Sequence, residues 1–152
     1  MGKQSGHISI KILLFSLLVF STQALAVDPV YNQDGLAIGG YDPVAYFTRG
    51  RAIWGNPDIA HNWQGARWQF DNDKHRELFK ANPEKYAPQY GGYCAYAAAK
   101  GSIAPTDARA WSIVDGKLYL NYSPTVQDRW KQNMHGYISR ADSKWPRIKN
   151  RQ

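Results

Sequence analysis

The chain contains a single cysteine, Cys94, and this limits how its fold can be held together. A lone thiol cannot close a disulfide within its own molecule, so stability has to come from packing and hydrogen bonding. The composition suits that requirement, because six Trp and ten Tyr supply large side chains that also carry a polar group. Cys94 itself is open to three interpretations: a packed core residue, a metal ligand or a reactive thiol.

The N-terminal segment has the pattern of a secretory signal peptide. Basic residues precede a short apolar run, Ile12 to Phe20, and Ala24-Leu25-Ala26 places small residues at the positions that signal peptidase reads. The run is about half as long as the ~18 residues that a membrane-spanning helix needs. We therefore expect residues 1–26 to be removed by cleavage near Ala26. The mature chain is expected to be exported, periplasmic or secreted, and not membrane-spanning.

The remaining residues, 27–152, are enough for one domain with a single core. Removing Lys3 and Lys11 leaves 17 of the 19 basic residues against 12 acidic ones, so the net charge falls from +7 to +5. These charges are interspersed along the chain, whereas nucleic-acid-binding domains usually carry a clustered basic face. The sequence therefore predicts no nucleic-acid partner.

Local patterns predict an α+β fold, a small single domain with two β-hairpins and three to four helices. The first hairpin pairs residues 59–63 with residues 66–70 around a glycine-containing turn. The second pairs residues 111–114 with residues 117–122 around Asp115-Gly116, a dipeptide that strongly favours two-residue hairpin loops.

Helical signals lie between and after the hairpins. Helices are predicted at residues 74–81, 84–90, 94–100 and 123–145. Gly101 is expected to end the third helix, and Ser123 to cap the last one, which should bend at Gly136 and end at Trp145-Pro146. Residues 44–47 are expected to form a short strand or turn.

Several of these stretches together resemble the YHS domain family, in the form found as small exported proteins. The matching pieces are Gly40 to Phe47 (GYDPVAYF), Trp63 to Phe70, Leu78 to Tyr86, Ala87 to Gly101 and Trp111 to Asn121. The resemblance covers nearly all of the mature chain, with a motif core at 40–101 and a C-terminal hairpin and helices at 111–145. It implies one YHS-type domain over residues 27–152, from a family whose exported members have no settled activity.

The same resemblance implies a possible metal site. Related YHS modules in copper-transporting ATPases carry three cysteines and are regarded as heavy-metal binding. The corresponding positions here are Ala45, Asp71 and His75. The three-thiolate set is therefore absent from this chain, and the resemblance leaves His75 as a metal-ligand type with Asp71 as a hard partner.

The residues themselves suggest a related ligand set. Cys94, His75 and His61 would provide one thiolate and two imidazoles, which suit copper or zinc, with Asp71 coordinating the metal or orienting His75. The alternative is a packed Cys94 and a half-buried His75 that bonds a backbone carbonyl. His135 is interpreted as a surface residue.

A pocket is also predicted around Cys94. Gly91 and Gly92 precede it and could let a ligand approach the backbone, while Tyr93 and Tyr96 stand on either side as candidate walls. In the alternative interpretation these rings belong to the core, with hydroxyls bonded to the backbone.

Three functions follow from these observations. The leading hypothesis is a non-enzymatic exported module that binds a transition metal, copper or zinc, in metal handling or sensing. The alternative is a metal-free module that docks another exported protein or a small ligand. A cysteine-based redox protein or enzyme comes third, and no catalytic residue is assigned, because the chain has no Gly-rich phosphate loop, H-E-x-x-H or G-x-S-x-G stretch.

Overall fold

A computed structural model of the protein describes residues 26–151, together with the single residue Gly2. The predicted signal peptide thus lies almost wholly outside the described residues. Within them, no helix combines the length and the apolar character that crossing a bilayer requires. The architecture is the predicted small α+β domain, with six strands and six helices in the described part of the chain.

Four strands form one sheet in the order β1-β2-β4-β3. They are β1 (Asn32–Gln33), β2 (Leu36–Ala37), β3 (Asn56–Trp63) and β4 (Ala66–Phe70). The antiparallel pair β3–β4 is the first predicted hairpin, which is confirmed, with Gln64 and Gly65 in the turn. Strand β2 joins β4 in parallel, with Leu36 opposite Arg67. The N-terminal strands are thereby fastened to the hairpin.

The second predicted hairpin is also confirmed. Strand β5 (Asp107–Val114) pairs antiparallel with β6 (Lys117–Asn121). Asp115 and Gly116 form the turn with φ angles of 50° and 73°. These left-handed conformations are the ones that an Asp-Gly turn accommodates.

Five of the six helices overlap the predicted helical regions, and the first helix is the exception. They are α1 (Ala45–Arg49), α2 (Asp73–Ala81), α3 (Pro83–Tyr86), α4 (Ala95–Lys100), α5 (Pro124–Lys131) and α6 (Met134–Lys149). Only α2, α5 and α6 have seven or more residues. Asn72 and Ser123 accept backbone N–H bonds at the start of α2 and α5, as N-caps do, and Gly101 ends α4 with a φ of 87°.

The segment predicted as a strand or turn at residues 44–47 is helical. Asp42 explains the difference, because its Oδ1 accepts hydrogen bonds from the backbone N–H groups of Val44 at 2.8 Å and Ala45 at 3.2 Å. An acceptor placed there satisfies the free donors of the first turn and favours a helix start.

The C-terminal helical region breaks earlier than predicted. Helix α5 ends at Lys131, and Asn133 caps α6 by accepting a hydrogen bond from the N–H of Gly136 at 3.2 Å. The predicted bend at Gly136 is therefore a new helix start two residues before it. Pro146, predicted to end the helix, lies inside α6 instead.

The buried side chains form two clusters. The first, called the hairpin core, packs the sheet against α1–α3 and contains Tyr46, Trp68, Phe70, Phe79 and Leu118, among others. The second, called the helical core, joins α4, α5 and α6 and contains Tyr90, Ala95, Ala98, Tyr119 and Trp130, among others. Alanines on α4 leave room for α6 to approach closely.

Candidate functional site

Cys94 is built into the interior of the domain. It is 1% exposed, and its thiol donates to Oδ1 of Asn121 at 3.6 Å. Its backbone N–H donates to the carbonyl of Ala104 at 3.0 Å. Asn121 also accepts from the N–H of Tyr96 at 3.1 Å, so a side chain from β6 provides a hydrogen-bond acceptor for the first turn of α4. Cys94 is thus a hydrogen-bonded core residue at the N-cap of this helix.

His75 is likewise buried, at 4% exposure, and both ring nitrogens have partners. Nδ1 lies 2.5 Å from Oδ2 of Asp42, and Nε2 lies 3.1 Å from the hydroxyl of Thr48. The same Oδ2 accepts the N–H of Asp71 at 2.9 Å. Together with the two bonds to its other oxygen, the Asp42 carboxylate ties α1 to the start of α2.

The other predicted ligands lie in different surroundings. His61 is half-buried on β3, with its ring centroid 6.5 Å from that of Phe79. The carboxylate of Asp71 faces outward, 3.9 Å from the guanidinium of Arg49. His135 is exposed on α6, where a surface residue was expected.

The described residues contain no group of three or more His, Cys, Asp and Glu side chains arranged to hold a metal ion. The roles of Cys94, His75, His61 and Asp71 as ligands stay predictions. A metal at Cys94 or at His75 would have to replace a hydrogen bond that the fold already makes.

A groove with a volume of about 830 Å³ lies where segment 27–30 meets the end of α6. It is called the aromatic groove here. Its main aromatic and basic lining residues are Trp63, Trp68, Tyr90, Lys117, Trp145 and Lys149. Some of these belong to the hairpin core and others to the helical core, so the groove runs along the boundary between the two.

Gly91 allows the N-terminal segment to form one wall of the aromatic groove. A Cβ at this position would lie 2.2 Å from the carbonyl oxygen of Pro29, and the residue has a φ of 62°. Its own carbonyl accepts the N–H of Tyr31 at 2.8 Å. Close backbone approach and positive φ together require glycine. Gly91, one of the predicted pocket residues, thus both lines and shapes the groove.

Tyr93 also contacts the N-terminal segment that forms this wall. Its hydroxyl donates to the carbonyl of Asp28 at 3.1 Å. Its ring centroid lies 5.4 Å from that of Tyr31 and 6.0 Å from that of Trp145. Burial is the main reason that the pKa of Tyr93 is raised. The neutral phenol therefore keeps segment 28–31 against α6.

The two remaining predicted pocket residues have other neighbours. Tyr96 packs against Tyr137 on α6, with ring centroids 5.0 Å apart. Gly92 is buried, and its carbonyl accepts the hydroxyl of Thr106 at 2.7 Å. These contacts join α4 and the preceding turn to the rest of the domain.

The charge of the aromatic groove is biased towards positive. Two lysines, Lys117 and Lys149, and one carboxylate, Glu84, lie in its lining. The hydroxyl of Tyr90 donates to Asp142 at 2.8 Å, and burial followed by this hydrogen bond raises the pKa of Tyr90. Tyr90 therefore adds no negative charge near neutral pH.

Comparison with protein-family models, with curated proteins and with solved structures finds no match to this chain. What the molecule does is therefore inferred from its own residues and their geometry.

Sequence reasoning pointed to residues 91–96 but missed most of the aromatic groove. Trp63, Lys117 and Trp145 are far apart in the chain, and only tertiary packing brings them together. The available signal was the high number of tryptophans, which does not say which of them share a surface.

Proposed function

We propose that this protein is an exported YHS-type domain that acts as a non-enzymatic binding module. Its ligand is an apolar molecule with an anionic end, held in the aromatic groove. The observation that supports this most is a groove of about 830 Å³ with four aromatic side chains and two lysines in its lining. Small-molecule sites typically have volumes of ~300–1,000 Å³ and combine apolar walls with a few polar groups.

The chemistry of the groove matches such a ligand. Burying hydrocarbon against the tryptophan rings contributes roughly 25 cal/mol for each Å² removed from water. Lys117 and Lys149 are exposed and attract a carboxylate or a sulfonate from solution. The phenol of Tyr90 is uncharged near neutral pH and adds no repulsion.

Binding at the aromatic groove requires neither Cys94 nor His75. Both are buried, and their side chains already contact Asn121, Asp42 and Thr48. Their contribution in this proposal is to stability, because they connect helices to the hairpins. Transition-metal binding by Cys94, His75 and His61 stays a separate prediction.

Decanoate and decanol provide a direct test, since they share an apolar chain and differ in charge. We expect decanoate to bind saturably, as followed by tryptophan fluorescence and calorimetry. The double variant Lys117→Gln/Lys149→Gln should weaken decanoate by roughly two- to thirtyfold and leave decanol nearly unchanged, because exposed charge pairs contribute ~0.2–1 kcal/mol each. Lys131→Gln, an exposed lysine on α5 outside the groove, is the matched control.

Two results would overturn the proposal. One is decanoate affinity that does not respond to the double lysine variant or responds equally to Lys131→Gln. The other is stoichiometric Cu(I) or Zn(II) binding that is lost in Cys94→Ala or His75→Gln while decanoate fails to bind. That second result would establish the metal hypothesis instead.

A further inference from the structure

A second surface, separate from the aromatic groove, centres on Trp54. This side chain is 64% exposed, yet its ring is stacked on Tyr41 with centroids 3.9 Å apart and planes at 29°. The two residues also form an isolated antiparallel bridge, and the neighbouring N–H of Asp42 donates to the carbonyl of Ile53 at 2.8 Å. Trp54 is therefore a fixed platform with one ring face covered and the other open to solvent.

A recess of about 470 Å³ lies beside this platform. Its polar side chains are Gln33, Thr106, Asp107 and Arg109. Arg109 donates to Asp107 through Nε at 3.1 Å and Nη2 at 2.9 Å. These bonds lower the pKa of Asp107 and raise that of Arg109, so both stay ionised and their charges cancel. The recess thus combines an open aromatic face with planar polar groups and no net charge.

We propose that this recess, called the Trp54 site, binds the pyranose ring of a neutral carbohydrate. The C–H face of a pyranose packs flat on an indole, and its hydroxyls can bond planar side chains such as those of Gln33, Asp107 and Arg109. A charged ligand would have to compete with the Asp107–Arg109 pair for its partners. A neutral polyhydroxyl ligand uses the donors and acceptors that remain on both side chains.

The surroundings of Trp54 favour a sugar over a protein partner. Protein interfaces depend on aromatic anchors surrounded by further contacts that exclude water. The described residues include four exposed large apolar side chains, Trp54, Ile103, Ile113 and Tyr122, and only the first lines this recess. The Trp54 site and the aromatic groove share no lining residue, so either proposal can fail without the other.

The test is an NMR titration of the ¹⁵N-labelled protein with three neutral trisaccharides: cellotriose, mannotriose and N-acetylchitotriose. At least one should shift the indole N–H resonance of Trp54 saturably. Trp54→Ala should weaken that sugar by about tenfold or more, and Trp54→Tyr, which keeps a stacking ring, by only about threefold. Tyr122→Ala removes an exposed aromatic ring outside the recess and should change nothing.

The proposal is overturned if none of the three sugars shifts the Trp54 resonance, or if Trp54→Ala and Tyr122→Ala have equal effects. It is also overturned if trigalacturonate binds more tightly than every neutral sugar, because the site would then select charge. Unchanged thermal unfolding of both alanine variants confirms that a loss of binding is local.

Discussion

Two buried polar side chains, Asp42 and Asn121, connect helices to hairpins, but their hydrogen bonding differs. Asp42 accepts three backbone N–H bonds and contacts the ring of His75, so both of its oxygens have partners. Asn121 uses Oδ1 for Tyr96 and Cys94, whereas its Nδ2 has no partner within the described part of the chain.

The same contrast extends to the tryptophans of the two cores. In the hairpin core, Trp68 donates its indole N–H to the carbonyl of Trp63 at 3.0 Å. In the helical core, the indole N–H of Trp130 is buried without a partner among residues 26–151. A buried polar group without a partner costs roughly 1–3 kcal/mol. The buried polar groups of the hairpin core are therefore more completely hydrogen-bonded than those of the helical core. Substitutions in the helical core are the ones that can add stability.

The largest expected effect is at Asp42. Asp42→Ala should lower the free energy of unfolding by about 3–5 kcal/mol, because His75 and three backbone N–H groups, two of them buried, lose their shared acceptor. Urea denaturation measures this loss. Asp73→Ala, an exposed carboxylate paired with Arg76 on α2, should cost no more than about 1 kcal/mol. Equal losses in the two variants would show that the hydrogen bonds of Asp42 contribute no more to stability than an exposed ion pair does.

Gly91→Ala should come next, at about 2–3 kcal/mol, because the new Cβ would meet the Pro29 carbonyl in addition to the strain of positive φ. Gly50 is the matched control. It has the same φ of 62° and no atom within 4 Å of the position that a Cβ would occupy, so Gly50→Ala should cost only ~1 kcal/mol. Gly91→Ala should also weaken decanoate, whereas a decanoate affinity equal to that of Gly50→Ala would contradict the described wall.

Alkaline pH should destabilise the hairpin core through Tyr46. Its hydroxyl donates to the carbonyl of Ala108 at 2.7 Å, and burial raises its pKa above the usual 10.0. Its contribution is complete below pH 10 and is lost as pH rises, because the unfolded chain releases the phenolic proton first. Each further pH unit should cost about 1.4 kcal/mol until Tyr46 ionises in the folded state.

The pH dependence is measured by urea denaturation at several alkaline pH values. Tyr46→Phe should reduce the slope by about 1.4 kcal/mol per pH unit and leave a remainder, because the pKa of Tyr90 is also raised by burial. An unchanged slope in this variant would assign the alkaline loss to other groups, such as Tyr119, whose pKa burial raises to about 12.

The smallest effect is the difference in stability between phenylalanine substitutions at Trp68 and Trp130. Trp68→Phe removes a satisfied N–H and leaves the Trp63 carbonyl without that donor, whereas Trp130→Phe removes a donor that has no partner within residues 26–151. Both lose similar ring volume, so Trp68→Phe should be the more destabilising by roughly 1–2 kcal/mol. Calorimetric unfolding measures the difference, and a reversed order would contradict the contrast between the two cores.

Local sequence signals predicted much of the fold. The Asp115-Gly116 turn, the Ser123 cap and the Gly101 helix end are set by neighbouring residues, and each was found where it was predicted. The predicted helix end at Trp145-Pro146 is wrong, because α6 continues through Pro146 to Lys149. Helix α1 was missed, although the bonds from Asp42 to the N–H groups of Val44 and Ala45 span only two and three residues.

The candidate site was harder to predict for a physical reason. Cys94 and His75 attract attention as chemical types, but their hydrogen-bond partners Asn121 and Thr48 lie 27 residues away in each case. Only the tertiary structure shows that these groups are already engaged. The residues that line the aromatic groove, such as Trp63, Lys117 and Trp145, are also far apart in the chain.

In the proposed function, ligands enter the aromatic groove rather than the surroundings of Cys94 and His75. The most direct measurement is an NMR titration with decanoate, followed at the indole N–H groups of Trp63 and Trp145 and at the backbone N–H groups of Cys94 and His75. We expect saturable shifts at the two tryptophans and far smaller ones at Cys94 and His75. Shifts concentrated at Cys94 and His75, with the groove tryptophans unmoved, would contradict it.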